Sequence, residues 1–358
     1  MTVQHPGRKR QIRFAGDEGT AVPRRLIGNK AIIHVTDGAQ FPDALKGAVV
    51  AIGNFDGVHR GHQQVLNAAL EVAERDDRPA VVLTFEPHPR SVFDPDTPLF
   101  RLTPAHVKAE IFQALGFTGV DTFPFDRRFA GQSAEAFIDD IVIGRLAAAH
   151  VVIGFDFHFG HKRRGTPEFL EESGQRHGFG VTRVPAFGDE GGVIVSSSRI
   201  RALLHGGKVA EAAGLLGYRF MVEARIIGGR KLGRTLGYPT ANMVLAPECD
   251  LKPGIYAVRF CREDGQIHDG VASFGCRPTV ESDGAPMLEV FLFDFDGDLY
   301  GELSTVSFFS FLRSEEKFDG LEALVAQMNE DEAQARAFLA SVKPLSGLDR
   351  ALAFAAGS

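Results

Sequence analysis

Short apolar runs recur along the first half of the chain, at residues 49–52, 80–85, 120–125, 151–153 and 181–184. Runs of this length with little internal charge read as buried strands. The stretches between them carry helix signals. Thr103-Pro104 offers a cap and a proline at the first helical position. Ser133 caps a segment whose Phe137, Ile138, Ile141 and Val142 fall on one face. Strand–helix alternation predicts a parallel sheet wrapped by helices, with ligands at the carboxyl ends of the strands.

Near residues 214–218 the pattern changes. The apolar runs at 220–227, 254–260, 270–274 and 288–295 are short, punctuated by Gly, Pro and Asp, and have no helical stretch between them. That pattern predicts an antiparallel barrel or sandwich. An amphipathic segment over 321–342 reads as a closing helix. The chain therefore divides into a loose extension (1–30), a first domain (31–217) and a second domain (218–358), with the boundary at Gly217.

Composition changes this picture little. A length of 358 residues exceeds a typical single core, so two domains are expected. A formal net charge of −7 argues against a nucleic-acid partner. No run approaches the roughly 18 apolar residues of a membrane helix. The basic N-terminus lacks the apolar core of a signal peptide. Cys249, Cys261 and Cys276 are odd in number and form no CxxC pair, so a reducing cytoplasm is the expected setting.

The densest chemistry lies in the first domain. Val49–Ile52 feeds a polar turn, Gly53-Asn54-Phe55-Asp56-Gly57, and then His59, Gly61 and His62 at a helix start. A strand, a Gly-rich turn and a helix N-terminus together make an anion site, because free backbone N–H groups and a partial positive charge converge there. The two imidazoles, three residues apart, would share a face and donate to phosphates. They could also be half of a zinc site, which would need a third ligand. His88 stands between Pro87 and Pro89, in a stiffened loop that ends a strand. After another strand come Asp156, Phe157 and Phe159, then the cations Lys162, Arg163 and Arg164. The rings could stack on a flat heterocycle and the cations draw phosphates; equally, an FxF pair can be core and a basic run a solvated surface. Ser196 and Ser197 lead into a helix carrying Arg201, suited to capping and to clamping phosphate oxygens.

In the second domain, Gly228, Gly229 and Gly233 belong to a Gly-rich stretch in which Gly228 and Gly233 have P-loop spacing. Arg234 replaces the lysine of that motif and Pro239 opposes the helix that should follow, which leaves a phosphate loop of another type. Thr240 and Asn242 would face the same way in an extended segment and are hard oxygen ligands suited to Mg²⁺. Glu289 lies in an alternating strand; buried there, it would have a raised pKa and could serve as a base. The acidic stretch at 294–298 lacks the Gly and Glu of a calcium loop and reads as a hairpin turn.

His59-Arg60-Gly61-His62 matches the HxGH signature of the nucleotidyltransferase superfamily. With its flanks, GNFDGVHRGH resembles the opening motif of bacterial bifunctional riboflavin kinase/FAD synthetases. TFEPHP, GFDFHFGHKRRG, SSSRIR, GGRKLGRTLGYPTAN and the segment 310–318 also resemble that family, in its order, over residues 31–342. The resemblance implies a Rossmann-like α/β adenylyltransferase domain followed by an antiparallel β-barrel riboflavin kinase domain with a C-terminal helix. It implies ATP as co-substrate, Mg²⁺, and riboflavin, FMN and FAD as substrates and products; no oligomeric state is implied. For adenylyl transfer it points to His59, His62 and Arg201, to phosphate contacts at Gly53, Asn54, Phe55, Asp56, Gly57, His88, Ser196 and Ser197, and to flavin contacts at Asp156, Phe157 and Phe159. For the kinase it points to Glu289 as general base, to Mg²⁺–ATP on Thr240 and Asn242 beside Gly228, Gly229, Gly233 and Arg234, and to flavin contacts at Arg313 and Glu316. Ser314 stands where the family usually has proline. A relative acting on another phosphate acceptor, or a flavin binder without activity, are the rival expectations.

Overall fold

The computed structural model describes residues 31–228, 240–276 and 285–354. Strand β2 (Val49–Ile52) is buried at every position, as a parallel strand covered on both faces requires. Around it lie β1 (Ile33–Thr36), β3 (Ala80–Glu86), β4 (Gly119–Pro124), β5 (His150–Gly154) and β6 (Gly180–Val184). The six strands run in the order β1-β4-β3-β2-β5-β6, with every pairing parallel. The chain moves outward from β2 in one direction through β3 and β4, then restarts on its other side at β5. The crevice between the carboxyl ends of β2 and β5 is therefore a topological switch point, where doubly wound sheets bind ligands.

Helices α1 (Arg60–Arg75), α2 (Pro89–Phe93), α3 (Ala105–Leu115), α4 (Arg127–Ala130), α5 (Ala134–Ala136), α6 (Pro167–His177), α7 (Ser197–His205) and α8 (Val209–Leu216) surround the sheet. Ser133 caps as the sequence predicts, accepting from the Ala136 amide at 3.1 Å. The turns that follow, Phe137–Arg145, are π-helical and bury Phe137, Ile138, Ile141 and Val142. Thr103 departs from expectation. α3 has Pro104 at its cap with no side-chain bond, and the Thr103 hydroxyl instead accepts from the Gly57 amide at 2.8 Å.

The second half is a closed barrel of β7 (Met221–Ile227), β8 (Thr240–Val244), β9 (Gly254–Cys261), β10 (Ile267–Cys276), β11 (Pro286–Leu292) and β12 (Leu303–Arg313), in the order β10-β11-β8-β7-β12-β9. All pairings are antiparallel. Helix α9 (Leu321–Ser341) closes the outside, close to the predicted 321–342, and α10 (Gly347–Ala353) follows. The acidic turn is not a hairpin: β11 pairs with β8 and β10 while β12 pairs with β7 and β9, so residues 293–302 cross between strands that are not neighbours.

The two halves meet directly. α8 ends at Leu216 and Gly217 turns in the left-handed region at φ 79°, which suits glycine. The buried Tyr218 hydroxyl then donates to the Gly57 carbonyl at 2.8 Å. One apolar cluster contains Leu102, Val107 and Phe112 from the first half together with Phe220, Tyr256 and Phe308 from the second.

Candidate active sites

The first cavity, about 660 Å³, opens at the switch point and is lined by Gly53, Asn54, Phe55, His62, His88, Asp156, Phe157 and Phe159, among others. That volume suits a nucleotide-sized ligand. The turn after β2 is conformationally demanding: Phe55 and Val58 have φ of 48° and 34° and Gly57 of 87°. A Cβ on Gly57 would lie 2.8 Å from Leu102 Cδ1, so glycine is needed there twice over. Strain of this kind gathers at ligand sites.

His59 is the N-cap of α1. Its Nδ1 accepts from the His62 amide at 3.2 Å, and its ring stacks on that of His62 with centroids 3.6 Å apart. Because Nδ1 accepts, the ring's proton sits on Nε2. His88 repeats the arrangement at α2, with Nδ1 accepting from the Arg90 amide at 3.1 Å. Burial draws His59 down to about 4 against the nearby Asp56 charge. Burial likewise takes His88 to about 4, helped by Arg101, Arg201 and Lys108, and it drives His62 well below its ordinary value. Near neutral pH the three imidazoles are thus neutral hydrogen-bond donors rather than cations.

The two rings of the FxF pair differ in burial. Phe159 is buried against Phe137, while the half-buried Phe157 stacks on it 5.5 Å away and faces the cavity. Lys162 and Arg163 stand at the rim.

Several expected phosphate ligands meet one another instead, behind the turn. The Asp56 carboxylate accepts from the Leu102 and Thr103 amides at 3.0 and 3.1 Å and pairs with the Arg201 guanidinium. Arg201 also donates to the Phe100 carbonyl at 2.6 Å. Ser197 donates to the Asp56 carbonyl at 2.8 Å, and Ser196 caps α7. Sequence reasoning missed a partly buried charge group beside this knot: Glu86 accepts from both terminal nitrogens of Arg101, at 2.9 and 2.7 Å, and pairs with the buried Lys108 at 2.8 Å. The readable signal was a lysine among the buried Val107, Ile111 and Phe112 of α3.

The second cavity, about 970 Å³, lies on the outer face of the barrel beside α9, lined by Thr240, Ser273, Glu289, Phe291, Arg313 and Glu316, among others. Strand alternation places it there. Ala241, Met243, Leu288 and Val290 point into the core, so their neighbours Thr240, Asn242 and Glu289 share the other face. Glu289 pairs in register with Asn242 on one side and Ser273 on the other. Asn242 is buried and its amide donates to the Thr240 carbonyl at 3.1 Å. Glu289 is half-buried, not the fully buried carboxylate that sequence reasoning considered. Arg313 grips the buried Asp331 of α9 through two bonds of 2.8 and 2.7 Å. Gly228 follows β7, whereas Gly229, Gly233 and Arg234 lie outside the described residues.

A parallel sheet with an anion turn at its switch point, joined to a barrel with a carboxylate, amide and hydroxyl on one face, is the architecture of a two-domain transferase with one site per domain. Two family models match accordingly: FAD synthetase over residues 41–199 and riboflavin kinase over 216–339. The bifunctional riboflavin kinase/FMN adenylyltransferase of Escherichia coli K12 is 38% identical over 299 residues, covering 84% of this chain and 95% of that one. Its Pseudomonas fluorescens counterpart is 42% identical over 298 residues, covering 82% and 94%. A crystal structure described as a macrolide-efflux protein from Streptococcus pneumoniae shares the fold, with a TM-score of 0.75 at 32% identity, covering 85% of this chain and 99% of that one. Efflux describes that protein alone; among the described residues here, no helix is long and apolar enough to cross a membrane. This chain belongs to the bifunctional riboflavin kinase/FMN adenylyltransferase family.

Proposed function

We propose that the second domain phosphorylates riboflavin to FMN with ATP, and that the first transfers an adenylyl group from a second ATP to FMN, giving FAD and pyrophosphate. The division falls at Gly217, and the setting is the cytoplasm, in keeping with three cysteines that form no CxxC pair. The observation that carries the reading is the convergence of each motif set on its own cavity: the anion turn, His62, His88 and Phe157 on one, Thr240, Glu289 and Arg313 on the other.

In the kinase site Glu289 takes the proton of the ribityl 5′-hydroxyl as its oxygen attacks the γ-phosphorus in line. ADP leaves. Arg313 and Glu316 hold the flavin side of the cavity, and Gly228 with the glycine-rich stretch after it holds phosphates. Mg²⁺ fits Thr240 and Asn242: both are oxygen donors on one strand face, and Mg²⁺ asks for only one or two protein ligands beside water and phosphate. Bound there, it would neutralise phosphate charge.

In the adenylyltransferase site the FMN phosphate is already ionised, so no general base is required. Its oxygen attacks the α-phosphorus and pyrophosphate departs. Neutral His62 and His88, which line the cavity, donate to phosphate oxygens, His88 through its Nε2–H, with the buried His59 ring stacked on His62, while Asp156 and Phe157 hold the flavin. The Ser196–Ser197 helix start adds positive potential behind the turn, and Arg201, paired with Asp56, holds the turn in place.

Product analysis with riboflavin, ATP and Mg²⁺ tests both halves. Wild type should yield FAD, Glu289→Gln should convert FMN but not riboflavin, and His59→Ala/His62→Ala should stop at FMN. A Glu289→Gln chain that still phosphorylates riboflavin at the wild-type rate would sink the assignment of the base.

A further inference from the structure

Lys108 is out of place by hydrophobic logic. Its side chain is 1% exposed, on a helix face otherwise made of Val107, Ile111 and Phe112. A buried ammonium is costly unless its donors are all used, and an ammonium has three. Lys108 Nζ pairs with the Glu86 carboxylate at 2.8 Å and donates to the Thr84 hydroxyl at 3.1 Å and the Asn54 carbonyl at 3.2 Å. Glu86 already has a bidentate partner in Arg101, so charge balance alone does not call for Lys108. The Thr84 hydroxyl also donates to the Asn54 carbonyl, at 3.2 Å. Two donors therefore converge on one carbonyl, in the turn that lines the first cavity.

We infer that Lys108 is a positioning residue for adenylyl transfer: its buried ammonium fixes the Asn54–Phe55 peptide, so that the turn presents the Phe55 N–H to substrate phosphate. A planar trans peptide carries its C=O and N–H on opposite edges; holding the carbonyl from beneath aims the amide away from Lys108. The inference rests on the reading of the first cavity as the adenylyl-transfer site. The ammonium has a second effect. After burial and the neighbouring His59, it is the third influence holding the His62 pKa down, which keeps that ring a neutral donor.

The test uses Lys108→Met, which keeps length and volume, and Lys108→Met/Glu86→Gln, which also removes the charge Lys108 faces. Each full-length variant is assayed for FMN to FAD and for riboflavin to FMN, and its His62 imidazole is titrated by NMR. Both variants should lose roughly tenfold to a hundredfold in kcat for FAD formation, keep FMN formation, and show a raised His62 pKa. Recovery of FAD formation in the double variant would make Lys108 only a counterion of Glu86 and overturn the proposal. Parallel loss of both activities in both variants would make it a folding residue and overturn the proposal equally. If wild type itself makes no FAD, the reading of the cavity fails instead; His62 titrating as in wild type in both variants would then still count against a role for Lys108.

Discussion

The His59 and His62 rings stack 3.6 Å apart with planes 15° from parallel, while the His59 Nδ1 accepts the His62 amide. An imidazole can cap a helix in this way only when neutral, since a protonated ring has no lone pair to offer. The cap and the depressed pKa are one fact seen twice: protonation would break the bond and place a cation at the positive end of α1.

Stability should therefore rise with pH in acid solution. His59 titrates at about 4 in the folded chain against an ordinary 6.5, so between those values the unfolded chain binds more protons. The contribution is fully present above about 6.5 and is lost as pH falls through about 4, a span on the order of 3 kcal/mol. Urea midpoints measured from pH 7 to pH 4 should fall, and His59→Asn, which keeps a capping side chain, should flatten that slope. Identical slopes in the two proteins would contradict the assignment.

Asp56 ties the turn to the Leu102–Thr103 backbone and to Arg201. Asp56→Ala leaves a partly buried guanidinium and two amides without their acceptor, an expected loss of about 3–5 kcal/mol. Asp56→Asn, retaining one acceptor oxygen, should lose less. Chemical denaturation of the three proteins gives the order directly, and FAD formation should follow it.

Tyr218→Phe removes a buried donor from the Gly57 carbonyl. An orphaned buried acceptor costs about 1–3 kcal/mol. The expected functional signature is a drop in FAD formation with FMN formation retained, although Tyr218 stands at the start of the second half. Equal losses in the two activities would show that the hydroxyl serves general stability.

Arg313→Lys keeps the charge but gives up the two-pronged grip on Asp331. The 313–320 side of the second cavity should loosen, raising KM for riboflavin by roughly tenfold with little change in kcat. Steady-state kinetics on riboflavin checks this, and an unchanged KM would refute it.

Sequence reached the architecture because both strand patterns are strong. Buried parallel strands such as β2 read as continuous apolar runs, and β11 as alternation. It missed β1, where only Val35 is buried and nothing but pairing with β4 defines the strand. It took the acidic turn for a hairpin because turn residues tell where a chain reverses, not which strand it rejoins. Thr103 was misread for a related reason: a local capping rule lost to an amide 46 residues away. The motifs pointed to many of the residues that line the two cavities, yet they could not show that Asp56 and Arg201 pair with each other or that Lys108 lies beneath the turn. Those relationships are tertiary, and no spacing encodes them.

The apolar cluster that runs from Phe112 through Leu102 to Phe220 and Phe308 has a consequence for inheritance. A substitution that changes side-chain volume in that seam alters a packing surface belonging to both halves. The apolar faces of the two halves must therefore change together where they touch.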